Sequence, residues 1–301
     1  MSGFLAGKSV AVTGAGRGIG RAVALACAEA GANVVVADHG VGMDGSDPSS
    51  DVAEEVVKQI QNAGGQAVAV ASDVSTMEGG AEVVQAAIDN WGRIDGVVCV
   101  AGILRERMLF NMTEDEWDPV IQVHLKGHFS VFRAASAVMR EQRSGSLVGF
   151  TSGAFQGSIA QANYSAAKGG VVSLVRSAAV GLARYGVTAN AIAPVARTRM
   201  SANVPGDLAE MGDAEDVAPM VVYLLSDRAT DVTGQVYTAV GGKIAVWNQP
   251  REIRSMHKDG RWTPEEIAAA LPGTVGVEKM PLFDIMEQMA NKAAEAKDSD
   301  A

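Results

Sequence analysis

The chain has 301 residues, 48% of them apolar but only 5% aromatic, with 34 glycines. That length admits a large core, either one α/β domain of about 250 residues plus a tail or two domains. A net charge of −10 and an isoelectric point near 4.9 exclude a general binder of nucleic acid or of anionic membrane, but not a site with enough local positive charge for one anionic ligand. Cys27 and Cys99 both lie in apolar segments and read as small core residues rather than a disulfide or metal pair. The N-terminus lacks a basic-then-apolar signal pattern, and no uninterrupted apolar run is long enough to span a membrane. The expectation is a soluble, cytoplasmic protein without a metal.

In chain order, a short apolar run at 8–13 ends in Thr13-Gly14-Ala-Gly16-Arg17-Gly18-Ile19-Gly20, and a helical pattern follows from about Arg21 to Ala30. Glycines at a strand-to-helix turn let the backbone approach a pyrophosphate, which then rests on the positive helix N-terminus. A tight turn in any α/β fold is the plainer alternative. A second apolar run, 33–37, ends at Asp38. A carboxylate there suits the ribose hydroxyls of NAD and repels the extra phosphate of NADP, whereas Arg17 pulls the other way; Asp38 carries more weight. Residues 39–50 read as a loop, 51–63 as a helix, 66–70 as a third strand leading to Asp73-Val74, 78–91 as a helix, and 96–100 as a fourth strand leading to Ala101-Gly102. This alternation specifies a parallel sheet with right-handed crossovers, whose ligands sit at the carboxyl ends of the strands.

One long helix is expected over 115–140 despite Pro119 and Gly127, a fifth strand over 145–152, a helix from Tyr164 to about Tyr185, a sixth strand over 187–192 ending at Pro194, a helix over 213–226 and a seventh strand over 234–240. On the 164–185 helix, Tyr164 and Lys168 share one face. An ammonium beside a phenol favours the phenolate, which can exchange a proton with an alcohol. A half-buried Tyr with a solvated Lys is the bland alternative for any isolated Tyr-x-x-x-Lys. The fold expected is a single doubly wound domain over 1–245 with seven parallel strands, followed by a C-terminal helical extension over 246–301.

Taken together, Thr13-Gly-x-x-x-Gly18-Ile-Gly20, Asp73-Val74, Ala101-Gly102, a serine ahead of Tyr164, and Tyr164-x-x-x-Lys168 resemble the short-chain dehydrogenase/reductase family over about residues 5–245. Trp117 to Gly127, Gln161 to Lys168, Ile192 to Met200 and Trp262-Thr263-Pro264-Glu265 are similar to one branch, the 3-hydroxyacyl-CoA dehydrogenase unit of peroxisomal multifunctional enzymes and its bacterial relatives. The resemblance implies a Rossmann-like fold and an NAD-dependent alcohol/ketone interconversion. It implies Ser152 (with Thr151 as the alternative), Tyr164 and Lys168 as catalytic groups, and Gly14, Arg17, Gly18, Ile19, Gly20, Asp38, Asp73, Val74, Ala101, Gly102, Tyr164, Lys168 and Pro194 as the cofactor site. Gln161, Arg197 and Arg199 are expected at the substrate, and assembly as a homodimer or homotetramer is implied. Cys99-Val100 stands where the family carries two asparagines that brace the fourth strand, and Val195 stands where a glycine is usual. His124 occupies the position of a catalytic asparagine, as it does in the acyl-CoA branch, and reads either as a proton-relay residue or as a packed histidine.

The expected substrate is a small molecule, a 3-hydroxyacyl-CoA thioester. A hydroxysteroid or small-alcohol dehydrogenase, an acyl-carrier-protein ketoreductase and a catalytically silent dinucleotide-binding protein are the alternatives. Lys243, Arg251, Arg254, Lys258 and Arg261 face only Glu252 and Asp259 in their span. With Arg197 and Arg199 they read either as contacts to a CoA phosphate or as solvated or subunit-contact charges.

Overall fold

The structure, a computed structural model, describes residues 3–42, 49–197, 212–276, 278, 280–284 and 287. Seven strands, β1 (Ser9–Thr13), β2 (Asn33–Ala37), β3 (Gln66–Val70), β4 (Gly96–Cys99), β5 (Gly145–Phe150), β6 (Val187–Pro194) and β7 (Val236–Val240), pair in parallel. Their order is β3-β2-β1-β4-β5-β6-β7. The chain therefore leaves β1 in one direction and resumes beyond it with β4, which puts a topological switch between these two strands.

The Val- and Ala-rich strands are apolar throughout because both faces are covered. Val10, Val12, Val34 and Val36 point into one core with α1 (Gly18–Glu29), α2 (Asp51–Asn62) and α7 (Ala218–Leu225). The alternating residues Ala11 and Val35 point into a second core with α3 (Met77–Trp91), α5 (Gly127–Gln142) and α6 (Ala162–Leu182). Local signals set the helix ends. Thr76 accepts from Gly79 N–H at 2.9 Å to open α3, and Gly92, at φ +72°, closes it.

Two expectations need correction. Among the described residues the sheet has eight strands: β8 (Lys243–Val246) runs antiparallel to β7, with Val240 opposite Lys243 across the two-residue Gly241-Gly242 turn. Gly-Gly between apolar runs is a hairpin signal, and Lys243, named above among the candidate CoA-phosphate cations, opens the added strand. The helix expected over 115–140 is α4 (Glu114–Ile121), a π-helical turn (Gln122–Lys126) and α5 in succession. Pro119 has no N–H to give the Asp115 carbonyl, and the Arg105 guanidinium donates to that oxygen at 2.9 Å. α6 with the following turn (Ala162–Tyr185), though interrupted by Lys168 and Arg176, is by length and composition long and apolar enough to cross a membrane. Here it packs on the sheet, with Ala167, Val171, Val172, Val175 and Ala179 buried.

The chain divides into two compact units, Met1–Trp247 and Asn248–Ala301. Within the second, Thr263 caps α8 (Pro264–Ala270) in a reciprocal box with Glu266.

Candidate active site

The carboxyl ends of β1, β2, β4, β5 and β6 surround a cavity of about 850 Å³. Every cofactor-site residue expected from the sequence, from Gly14 to Pro194, lines it, together with Ser152, His124 and Gln161. Among the described residues Arg197 is outside the lining and pairs with Asp213 at 2.5 Å, while Arg199 lies outside the described residues. In the second unit, Arg254 pairs with Glu278, and Lys258 pairs with Glu266 at 2.6 Å. The cations of that span therefore do not face Glu252 and Asp259 alone.

At the dinucleotide end, Gly14 sits at φ +64°, where a Cβ would lie 2.7 Å from the amide nitrogen of Ala101. Only glycine lets β1 turn into α1 this close to the end of β4. The Asp38 carboxylate is held at the end of β2 by two amides, Gly16 N–H to Oδ2 and Gly40 N–H to Oδ1, each at 2.7 Å. Asp73 Oδ1 accepts from Ser75 N–H at 2.9 Å, which shapes the rim after β3. A glycine turn open to a pyrophosphate, with a fixed carboxylate one strand away, fits a nicotinamide dinucleotide.

At the other end, α6 presents Tyr164 and Lys168. Lys168 is 3% exposed; its ammonium donates to the Phe150 carbonyl at 2.6 Å and lies 5.4 Å from the centre of the Tyr164 ring. Burial lowers its pKa from 10.5 to about 7. Tyr164 does not follow the expectation of a lowered pKa. Burial raises it, and the hydrogen bond with Ser152 opposes that only in part. The Ser152 hydroxyl accepts from Ala154 N–H at 3.2 Å and lines the cavity. The Thr151 hydroxyl, fully buried, donates to the Lys168 carbonyl at 2.9 Å. His124, 1% exposed, stands edge-on to Tyr164 with ring centroids 5.1 Å apart. Its Nε2 is 2.8 Å from the Ile103 carbonyl and 3.2 Å from the Ile103 amide nitrogen, and its Nδ1 has no hydrogen-bond partner among the described residues. Burial, then the Lys168 charge, hold it well below the usual histidine pKa, so the ring is neutral.

Several contributors carried no role in the sequence reading. The Thr13 hydroxyl accepts from Val100 N–H at 3.2 Å and Ala101 N–H at 3.3 Å. It ties β4 to β1 where Cys99 and Val100 replace the family's asparagines. Asn163, fully buried beside Tyr164, donates to the Arg105 carbonyl at 2.8 Å and to the Glu116 carbonyl at 2.7 Å, and its side-chain oxygen accepts from Tyr164 N–H at 2.7 Å. Both residues lie inside quoted motifs, but apart from the adjacent Tyr164 their partners are 47 to 88 positions away, beyond the reach of local pattern.

A family model described as enoyl-(acyl carrier protein) reductase matches residues 14–243. The crystal structure of a short chain dehydrogenase from Mycobacterium avium is 45% identical, with a TM-score of 0.83, over 92% of this chain and 97% of that one. This chain belongs to the short-chain dehydrogenase/reductase family. As a member it is an oxidoreductase working with a nicotinamide dinucleotide on a small molecule. Among its relatives within the family, the hydroxyacyl-CoA dehydrogenase ChsB1 of Mycobacterium tuberculosis is 42% identical over 284 residues, covering 89% of this chain and 88% of that protein. The peroxisomal multifunctional enzyme type 2 of Mus musculus is 39% identical over 265 residues, covering 87% of this chain and 36% of that longer protein.

Proposed function

We propose that the protein interconverts a 3-hydroxyacyl-CoA and the 3-ketoacyl-CoA, with NAD as its dinucleotide. The chemistry is carried by one arrangement: Tyr164 and Ser152 line the same cavity, the serine hydroxyl opposing the rise in the phenol's pKa, with the Lys168 ammonium 5.4 Å from the centre of the phenol ring. Burial keeps the phenol protonated, so in the reductive direction Tyr164 has a proton to give to the carbonyl oxygen. In the oxidative direction the phenol first yields its proton to solvent, and the resulting phenolate, its charge offset by Lys168, takes the hydroxyl proton. Ser152 donates to the substrate oxygen as charge develops there. The dinucleotide, when bound, accepts or supplies the hydride.

The substrate assignment draws on the mycobacterial and peroxisomal relatives. The choice of NAD draws on the Asp38 carboxylate, fixed by Gly16 and Gly40 where a 2′-phosphate would meet its charge. Tyr164→Phe should lower turnover by a factor of about 10² to 10⁴ while dinucleotide affinity holds; retained turnover would overturn the mechanism. A panel of 3-hydroxyacyl-CoAs and free hydroxysteroids, followed by nicotinamide absorbance with NAD and then NADP, tests the substrate. Higher kcat/KM for the free alcohols would transfer the assignment to them.

A further inference from the structure

We propose that His128 is a positioning residue that sets both walls of the Tyr164–Lys168 site at once, holding the His124 carbonyl through Nδ1–H and the Phe150 amide through Nε2. The proposal rests on the catalytic reading of Tyr164 and Lys168 given above.

The ring is 1% exposed. Nδ1 lies 2.5 Å from the His124 carbonyl, and Phe150 N–H donates to Nε2 at 3.0 Å. A carbonyl only accepts and an amide only donates, so these two hydrogen bonds fit the neutral Nδ1–H tautomer, with the Cys99 backbone as a further acceptor near the ring. Burial and the nearby Lys168 charge push the His128 pKa down to about 3, which leaves the ring uncharged at neutral pH. It is neither the acid nor the base of the reaction.

Each bond sits where regular structure is interrupted. The parallel ladder from β5 to β4 begins with Ser146 N–H to the Asp95 carbonyl, and its last matched pair is Cys99 with Gly149. Alternation along β5 would send the Phe150 amide to Cys99, but β4 stops there and the next amide, Val100, turns back to Thr13. The imidazole takes the Phe150 amide at that fork. At the helix end, His124 lies inside the π-turn Gln122–Lys126, where the regular i to i−4 ladder is interrupted. The His124 carbonyl accepts from Gly127 N–H, and the side chain four residues on is a second donor to it.

Both partners touch the catalytic pair. The Phe150 carbonyl receives the Lys168 ammonium at 2.6 Å, and the His124 ring meets the Tyr164 ring edge-on. One neutral side chain thus fixes where the lysine is held and where the tyrosine is flanked. A purely structural histidine would affect thermal stability and leave turnover per dinucleotide-binding site unchanged. A positioning histidine affects turnover itself.

The test uses the full chain with three substitutions. His128→Leu removes both bonds, His128→Asn keeps a donor near the Nδ1 position, and His128→Gln places an amide oxygen towards Phe150. For folded His128→Leu, kcat per dinucleotide-binding site should fall about tenfold to a hundredfold, with dinucleotide Kd held within about threefold. The Asn and Gln variants should each recover part of the loss. A folded His128→Leu protein with kcat within about twofold of the parent overturns the proposal. If His128→Leu does not fold, full parental kcat in both Asn and Gln variants overturns it instead. In the unmodified protein, imidazole ¹⁵N NMR at pH 7 should show the Nδ1–H tautomer, and an Nε2–H tautomer or an imidazolium overturns it. Tyr164→Phe is run alongside. Turnover surviving there defeats the catalytic reading, whereas a silent Tyr164→Phe with a fully active His128→Leu defeats only this proposal.

Discussion

Replacing Lys168 with Met separates what this residue costs the fold from what it does for turnover. Burial lowers its pKa from 10.5 to about 7, so between those two values the unfolded chain binds the proton and the folded chain releases it. Stability therefore rises with pH across that window. One group with these two values destabilises the fold by about 4 kcal/mol at pH 7 and by about 2 kcal/mol at pH 9. Methionine fills similar space without charge but leaves the Phe150 carbonyl without its donor, which gives back about 1–3 kcal/mol. Lys168→Met should thus be the more stable protein at pH 7 by about 1–3 kcal/mol and close to parental at pH 9, with turnover lost. Urea denaturation of both proteins at the two pH values reads this directly. Cys27, whose thiol burial pushes up to about 12, is common to both and cancels in the difference. A stability difference that stays flat from pH 7 to 9 would refute the reasoning.

Three other substitutions probe the cavity walls. Gly102→Ala would set a Cβ 2.2 Å from His124 Cε1. This should cost about 1–3 kcal/mol in denaturation and lower kcat, because the displaced ring leans on Tyr164; parental stability would show that the ring moves freely. Asn163→Ala strips the Arg105 and Glu116 carbonyls of their buried donor and should cost about 2–4 kcal/mol by thermal melt, with a loss below about 1 kcal/mol counting against the bonding described. Asp38→Asn should cut the ratio of kcat/KM for NAD over NADP by about tenfold, and an unchanged ratio would remove Asp38 from dinucleotide choice.

The parallel order of β1 to β7 was legible because each apolar run is bounded by turn residues and followed by a helical period, which leaves few topologies open. The eighth strand was missed because Lys243–Val246 is only four residues long and opens on a lysine, and the hairpin signal Gly241-Gly242 ahead of it was not used. At the site, the glycine turn, Asp38 and the Tyr164–Lys168 spacing are local patterns and so were visible. The tyrosine's raised pKa was not, because it depends on how deeply the tertiary fold buries it, and spacing alone reports only the neighbouring ammonium. The fate of Thr151 was equally out of reach, since its hydroxyl is directed to the Lys168 carbonyl on another element.

Asn163 fastens three pieces at one point: the segment after β4 at Arg105, the body of α4 at Glu116, and the first turn of α6 at Tyr164. Arg105 also lines the cavity, so a ligand that presses on that wall presses on the fastening. The tyrosine cannot keep its place while the wall yields. A poorly shaped substrate would then still bind, but with its oxygen out of line with the phenol. Discrimination among substrates in this enzyme should accordingly be written in kcat more than in KM.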